Sequence, residues 1–380
     1  MKITKLFTHF FESEKSAGLL LLICTVLSIA LSNSYFGESF RDFWHVHLLG
    51  NSIEFYVNDG LMTIFFLMIG LELERELYGG ELSNIKDALL PVFAAIGGMV
   101  VPAGIYLFLN YGTPEQAGIG IPIATDIAFA LGILSLLGNR IPLSVKVLLT
   151  AFAVIDDLGA ILIIAIFYTK TILWANLIYA FIIFGILLIC NRLKIRNLFP
   201  YLIGGTVMWY FMANSGVHAT ITGVLLAFAI PYGNGDEKST SYILQEFLHN
   251  PVAFFILPIF ALCNAAIVFS DDILNTLTEN YSLGIGLGLA IGKPIGIFFA
   301  MFFVVSIKIC KLPEDVNWKS VLGISLLGGI GFTMSIFITL LAFEDSTIIN
   351  TSKLMILLAS LISGILGFFI LKISTKTKKI

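Results

Sequence analysis

Along its whole length this chain is a succession of apolar runs of about the length needed to cross a bilayer, joined by short polar links, and that recurrence limits its fold more than any other feature. A spanning helix takes roughly 20 mostly apolar residues. Measured that way, the sequence holds twelve segments, near residues 16–33, 55–78, 87–109, 119–138, 143–168, 172–191, 198–213, 216–230, 241–268, 281–305, 318–342 and 351–373. The seventh and eighth are short. Composition agrees: 58% of the 380 residues are hydrophobic and 12% are charged, too few for a water-facing surface on a soluble protein of this size. The expected fold is an all-α polytopic membrane protein forming one domain over residues 1–380, since no link is long enough for a soluble unit. Lys2 and Lys5 ahead of the run AGLLLLICTVLSIALS imitate a secretion signal, but Glu12, Glu14 and Lys15 intervene and similar runs recur, so this run reads as the first membrane helix.

Charge placement predicts the orientation. With the N-terminus in the cytoplasm, every Lys and Arg falls on that side except Arg41, Lys170 and Lys353 outside and Lys293 within a segment. This bias favours an even number of helices with both termini inside. A net charge of -3 points to no nucleic-acid partner, and Cys24, Cys190, Cys263 and Cys310 lack the paired spacing of disulfides or a zinc site. Between the first two segments, FWHVHLLGNSIEFYV alternates weakly around Gly50-Asn51. It reads either as an ordered outer loop or as a hairpin whose edge a second subunit could meet.

Four ionisable residues sit near the middle of apolar segments: Asp126 in the fourth, Asp156 and Asp157 in the fifth, Lys293 in the tenth. Each costs about 2.5–3.5 kcal/mol on insertion scales, so together they impose roughly 10 kcal/mol or more before pairing. A buried Asp–Lys pair that orders the bundle would account for Lys293 and one aspartate, not for the other two. Fully ionised, the four carry a net charge of -2, which calls for protons or a cation. Crowded, desolvated carboxylates bind protons more tightly than in water, and hard cations prefer oxygen ligands. A proton and a sodium ion can therefore compete for one site. Adjacent helical residues point about 100° apart, so one of Asp156 and Asp157 should meet Lys293 and the other the ion.

Two segments carry helix breakers at this depth. Pro122 precedes Ala124-Thr125-Asp126 in the fourth, and Gly328-Gly329-Ile330-Gly331-Phe332-Thr333 interrupts the eleventh. Paired interruptions in the two halves of a chain point to an inverted-topology repeat whose half-helix ends meet at the transport site. Asp126 and Lys293 are placed to offset the partial charges of those ends.

With these residues in view, the sequence resembles the NhaA-type sodium/proton antiporters of bacterial inner membranes. The likeness rests on NDGLMTIFFLMIGLELERELYGGEL, FAAIGGMVVPA, IPIATDIAFALGILSLLG, AVIDDLGAI, SGVHATITGVLLAF, FILPIFALCNA, IGKPIGI and GGIGFTMSIFI. It implies twelve helices with the fourth and eleventh interrupted and crossing, and electrogenic export of sodium or lithium against protons. Asp157 would be a principal ion and proton carboxylate, Asp156 the partner of Lys293, and Asp126 with Thr125 the charge at the crossing beside Gly328, Gly329 and Gly331. The resemblance further implies a core subdomain near 87–168 and 281–373, an interface subdomain near 16–78 and 172–268, and a homodimer joined partly through an outer hairpin near 39–56. It associates pH regulation with Glu72, Arg75 and Glu76 at the end of the second helix, and with Glu246 and His249 at the start of the ninth. There the family pattern Leu-Glu-x-x-Leu-His-Pro is displaced, reading Leu244-Gln245-Glu246-Phe247-Leu248-His249-Asn250-Pro251. His218 reads as a hydrogen-bonded packing residue.

No cofactor is expected, and no nucleotide loop or nucleophile constellation marks an enzyme. The alternative is a sodium-coupled symporter of an organic anion on a related fold, which should not need Lys293 and should offer polar groups for a solute. A proton channel would need a continuous polar path rather than one charged cluster.

Overall fold

The computed structural model describes residues 2–374 apart from 170, 171, 234, 237 and 270–272. Lys170, Lys376, Lys378 and Lys379, which enter the orientation reading, lie outside the described residues. The described chain is helical except for one two-stranded ribbon and its links. Among the described residues, ten helical stretches are long and apolar enough to cross a bilayer: Lys15–Ser32, Ile53–Gly79, Asp87–Asn110, Pro114–Ser135, Leu143–Phe167, Trp174–Arg192, Thr240–Asn264, Asn280–Ser306, Trp318–Ala342 and Ser346–Ser374. They correspond to ten of the twelve segments and make this a multi-pass membrane protein. The seventh and eighth are helices Phe199–Ala213 and Ile221–Ala229, of 15 and 9 residues. At 1.5 Å per residue they reach about 22 and 14 Å, short of a hydrocarbon core about 30 Å thick.

Burial orders the segments from the centre outward. Trp318–Ala342 has 94% of its apolar window buried in protein, whereas Trp174–Arg192 has 11%. The eleventh segment is thus enclosed by its neighbours, and the sixth offers most of its surface outward. Close packing relies on small residues. The backbones of Gly97 and Gly296 touch, a Cβ on either meeting the other's carbonyl, and Gly223 lies in the same way on the carbonyl of Thr63.

The fourth segment is a 3-10 stretch, Pro114–Ile123, followed by a non-helical link and the α-helix Ile127–Ser135. The eleventh is two helices, Trp318–Gly328 and Phe332–Ala342, around a non-helical link. Three other segments contain a π turn, at Tyr56–Leu61, Val252–Ile256 and Gly288–Gly292. Such turns frequently accompany functional positions, and the last ends directly at Lys293.

Two sequence expectations need correction. The outer ribbon pairs His47 with Ser52 and Leu48 with Asn51, so its turn is Leu49-Gly50 rather than Gly50-Asn51. Both turn residues have positive φ, 51° and 98°, as a tight hairpin turn of the primed type requires. The ribbon is confined to residues 47–52, because Gly37–His45 is a helix. Lys353, assigned to an outer loop, instead lies inside the helix Ser346–Ser374, 8% exposed and within electrostatic reach of Glu54. A long side chain in the first turns of a helix can be buried there and needs no loop to carry it.

Candidate ion-exchange site

Asp156 and Asp157 occupy the middle of Leu143–Phe167, an uninterrupted helix that carries them to the centre of the bundle. Each is 1% exposed, beside Lys293 at 0%, Thr125 at 0% and Asp126 at 2%. Lys293 Nζ lies 2.6 Å from Asp156 Oδ2 and also donates to the carbonyl of Ile123. Among the described residues, Asp156 Oδ1 and both oxygens of Asp157 have no hydrogen-bond partner. One carboxylate is therefore neutralised by a cation, while its neighbour is buried with its full acceptor capacity unused. The charges of Asp126, Asp156, Lys293 and Glu72 all act on Asp157.

The two interruptions meet here. Asp126 N–H donates to the carbonyl of Ile330 at 2.7 Å, and Thr125 Oγ1 donates to that of Gly328 at 2.9 Å. In return, Asp126 Oδ2 accepts from the backbone N–H of Thr333 at 3.1 Å and from the Thr333 hydroxyl, while Oδ1 caps its own helix by accepting from Phe129 N–H at 2.9 Å. Ser335 Oγ donates to the carbonyl of Ile121 at 2.7 Å. The pattern follows helix polarity: a carboxylate serves the N-terminal ends of Ile127–Ser135 and Phe332–Ala342, and donors serve the carbonyl ends at Ile121, Ile123 and Gly328. Irregular backbone buried at this depth must have such partners.

Glycine is required where these elements close on one another. A Cβ on Gly328 would strike Ile297 and Phe152, and one on Gly331 would strike Ser335 Oγ. On Gly329 it would come within 2.5 Å of the carbonyl oxygen of Leu289 and 2.9 Å of Ser363 Oγ.

Comparison with known proteins settles what this arrangement belongs to. The family described as Na+/H+ antiporter 1 matches residues 8–371. The chain belongs to this family. It is 70% identical over 372 residues to the Na(+)/H(+) antiporter NhaA of Flavobacterium psychrophilum, covering 98% of this chain and 97% of that one. Na(+)/H(+) antiporter NhaA 1 of Flavobacterium johnsoniae is 59% identical over 379 residues, with full coverage of both chains. NhaA 1 of Clostridium beijerinckii is 45% identical over 384 residues, covering 98% of this chain and 96% of that one. The family is one of transporters rather than enzymes.

The remaining predicted residues lie along the second and ninth segments. Arg75 Nη2 is 3.9 Å from Glu72 Oε1 and 3.8 Å from Glu76 Oε1, with the Arg75 side chain 37% exposed. His249, on Thr240–Pro251, feels the charges of both Glu246 and Arg75, so these five residues form one electrostatic neighbourhood. The displaced proline, Pro251, ends that helix and leads directly into the π turn Val252–Ile256. His218 Nε2 lies 2.9 Å from the carbonyl of Tyr168.

Sequence reasoning assigned no role to several buried polar residues. Thr333 and Ser335 sit inside a quoted motif, and their signal was a pair of hydroxyls directly after a glycine run. Ser360 and Ser363 reach the break from the twelfth segment, where serine in an apolar helix carries little signal because it can bond its own helix. Glu74 is 4% exposed with Oε2 unpartnered, and Glu72 and Glu76 on either side obscured it. Asn58 and Asn264 join the second and ninth segments through their side-chain amides, at 2.7 Å in the shorter contact.

Proposed function

We propose that this chain is a secondary antiporter that exports sodium, and lithium, in exchange for protons across the bacterial inner membrane, serving sodium and pH homeostasis. The observation that carries the reading is the asymmetry of the carboxylate pair. Asp156 is neutralised by Lys293, whereas Asp157 is buried with both oxygens free to take a proton or a hard cation. Family membership and the names of the relatives, all Na(+)/H(+) antiporters, support the same exchange and argue against symport of an organic anion.

In this mechanism Asp157 is the principal ion and proton carboxylate and Asp156 its lysine-paired neighbour. Asp126 and Thr125 compensate the helix ends, and Gly328, Gly329 and Gly331 allow the eleventh segment to unwind. Proton and cation exclude one another at Asp157, and only a loaded site changes the side it faces. More protons enter than cations leave, so the membrane potential favours export. Glu72, Arg75, Glu76, Glu246 and His249 form the pH-responsive cluster.

The architecture that goes with this reading has twelve spans, the short seventh and eighth included, with both termini cytoplasmic. Two inverted repeats place the fourth and eleventh segments as crossing, interrupted helices. A core subdomain near 87–168 and 281–373 works against an interface subdomain near 16–78 and 172–268. The outer ribbon contributes to a homodimer embedded in the bilayer. The test is proton movement in everted vesicles on addition of sodium, lithium or potassium. Wild type dissipates a proton gradient with sodium or lithium, and Asp157→Asn abolishes that response. A sodium response that survives in Asp157→Asn overturns the proposal.

A further inference from the structure

The twelfth segment closes on the break in the eleventh through two hydroxyls. Ser360 and Ser363 are three residues apart and share one helix face; they are 4% and 0% exposed. Phe332 N–H donates to Ser360 Oγ at 3.1 Å, and Ser363 Oγ lies 2.9 Å from where a Cβ on Gly329 would stand. Phe332 begins the second half-helix, and its φ of 21° is unusual for an aromatic residue. The first N–H groups of a helix have no acceptor within it, and the preceding residue, Gly331, offers no side-chain cap. Two consecutive N–H groups are therefore held from other helices: Phe332 by Ser360 and Thr333 by Asp126.

Several buried hydroxyls of this bundle are spent within their own helix. Thr25, Ser325 and Thr339 bond the carbonyl four residues earlier in their own helices. Ser360 instead accepts from a different segment, at the one point where the backbone must turn from the link into the half-helix. Thr333 follows immediately, and its N–H and hydroxyl both serve Asp126, so the angle at Phe332 sets where Thr333 stands.

We propose that Ser360 is a positioning residue for ion exchange: by holding the Phe332 N–H, it fixes the turn that presents Thr333 to Asp126. The inference rests on the antiport reading and adds the twelfth segment to the machinery of the site.

The test measures apparent KM for sodium and lithium, maximal rate and melting temperature for full-length variants, with transport read in everted vesicles. Ser360→Ala should raise the apparent KM about fivefold, the effect of one typical hydrogen bond, with maximal rate and melting temperature near those of wild type. Ser360→Thr keeps the acceptor oxygen and should stay within about twofold of wild type. Ser360→Cys provides a second route should the alanine variant fail to accumulate, because sulfur of similar size accepts poorly; it should raise KM as alanine does. Ser352→Ala, about 12 Å away along the same helix, removes another buried hydroxyl and should leave KM unchanged. Unchanged KM in both Ser360→Ala and Ser360→Cys, or an equal rise in Ser352→Ala, overturns the inference. Sodium-dependent exchange that survives Asp157→Asn overturns the antiport reading itself. Loss of exchange in Asp157→Asn with a wild-type KM in both Ser360→Ala and Ser360→Cys overturns only the role of Ser360.

Discussion

Two charged clusters, each a cation among carboxylates, differ in how far solvent reaches them in this protein. At the centre of the bundle, Lys293 and Asp156 approach to 2.6 Å at 0% and 1% side-chain exposure. Toward the end of the second segment, Arg75 stands 3.8 and 3.9 Å from Glu76 and Glu72 and is 37% exposed. Solvent reaches the second cluster at Arg75, although Glu72 and Glu76 are only 13% and 14% exposed, so its long, partly screened pairs contribute about 0–1 kcal/mol. The first is buried, and removing one partner from a buried pair typically costs about 3–5 kcal/mol. The central cluster is thus suited to holding a fixed geometry around an exchangeable ion. The peripheral cluster is suited to responding to its surroundings.

The largest effect expected from this contrast is at Lys293. Lys293→Met should destabilise the protein by about 3–5 kcal/mol, measured by thermal or denaturant unfolding in detergent. Asp156→Asn combined with Lys293→Met should recover most of that loss, because a neutral pair leaves no uncompensated charge. If the single and double variants unfold alike, the pairing contributes no more than packing. Thr333→Val comes next. It leaves Asp126 Oδ2 with only the backbone N–H of Thr333, and about 1–3 kcal/mol should be lost. Thr333→Ser, which keeps the hydroxyl, should unfold near wild type.

A smaller loss is expected from Thr125→Val, which removes the donor to the carbonyl of Gly328; about 1 kcal/mol should appear in the same unfolding measurement. Smallest of all is Arg75→Gln, with a stability change within about 1 kcal/mol that vanishes at high salt. A salt-insensitive loss there as large as that of Lys293→Met would erase the distinction between the two clusters.

The central cluster was legible in the sequence because charge stands out against oil. Asp126, Asp156, Asp157 and Lys293 are conspicuous in apolar runs, and a rise of 1.5 Å per residue is enough to bring them to one depth. Pro122 and the run Gly328-Gly329 marked the interruptions for a similar reason, since both residue types weaken a helix wherever they occur. Ser360 escaped notice because a hydroxyl in a helix satisfies itself locally as readily as it reaches across. The outer turn was displaced by one residue because Gly50 can occupy either central position, and only strand pairing decides which neighbour joins it. Lys353 was placed outside because sequence counts a lysine near a segment end as exposed, whereas packing of neighbouring segments buries it within the helix.

By itself, then, the sequence determined that this is a helical membrane protein, where its helices lie, which of them break, and that three carboxylates and an ammonium share the middle of the bundle. Those properties depend on composition, spacing and helical rise, all local to a stretch of chain. That Asp156 rather than Asp157 meets Lys293 was implied by the family resemblance, not by spacing, and tertiary structure bears it out; tertiary structure alone decided that Asp126 serves two half-helices at once and that the twelfth segment caps the eleventh. Each depends on how far one helix is rotated about its axis against another. That rotation is set by close contacts such as Gly97 on Gly296, which the spacing of residues along a single segment does not fix.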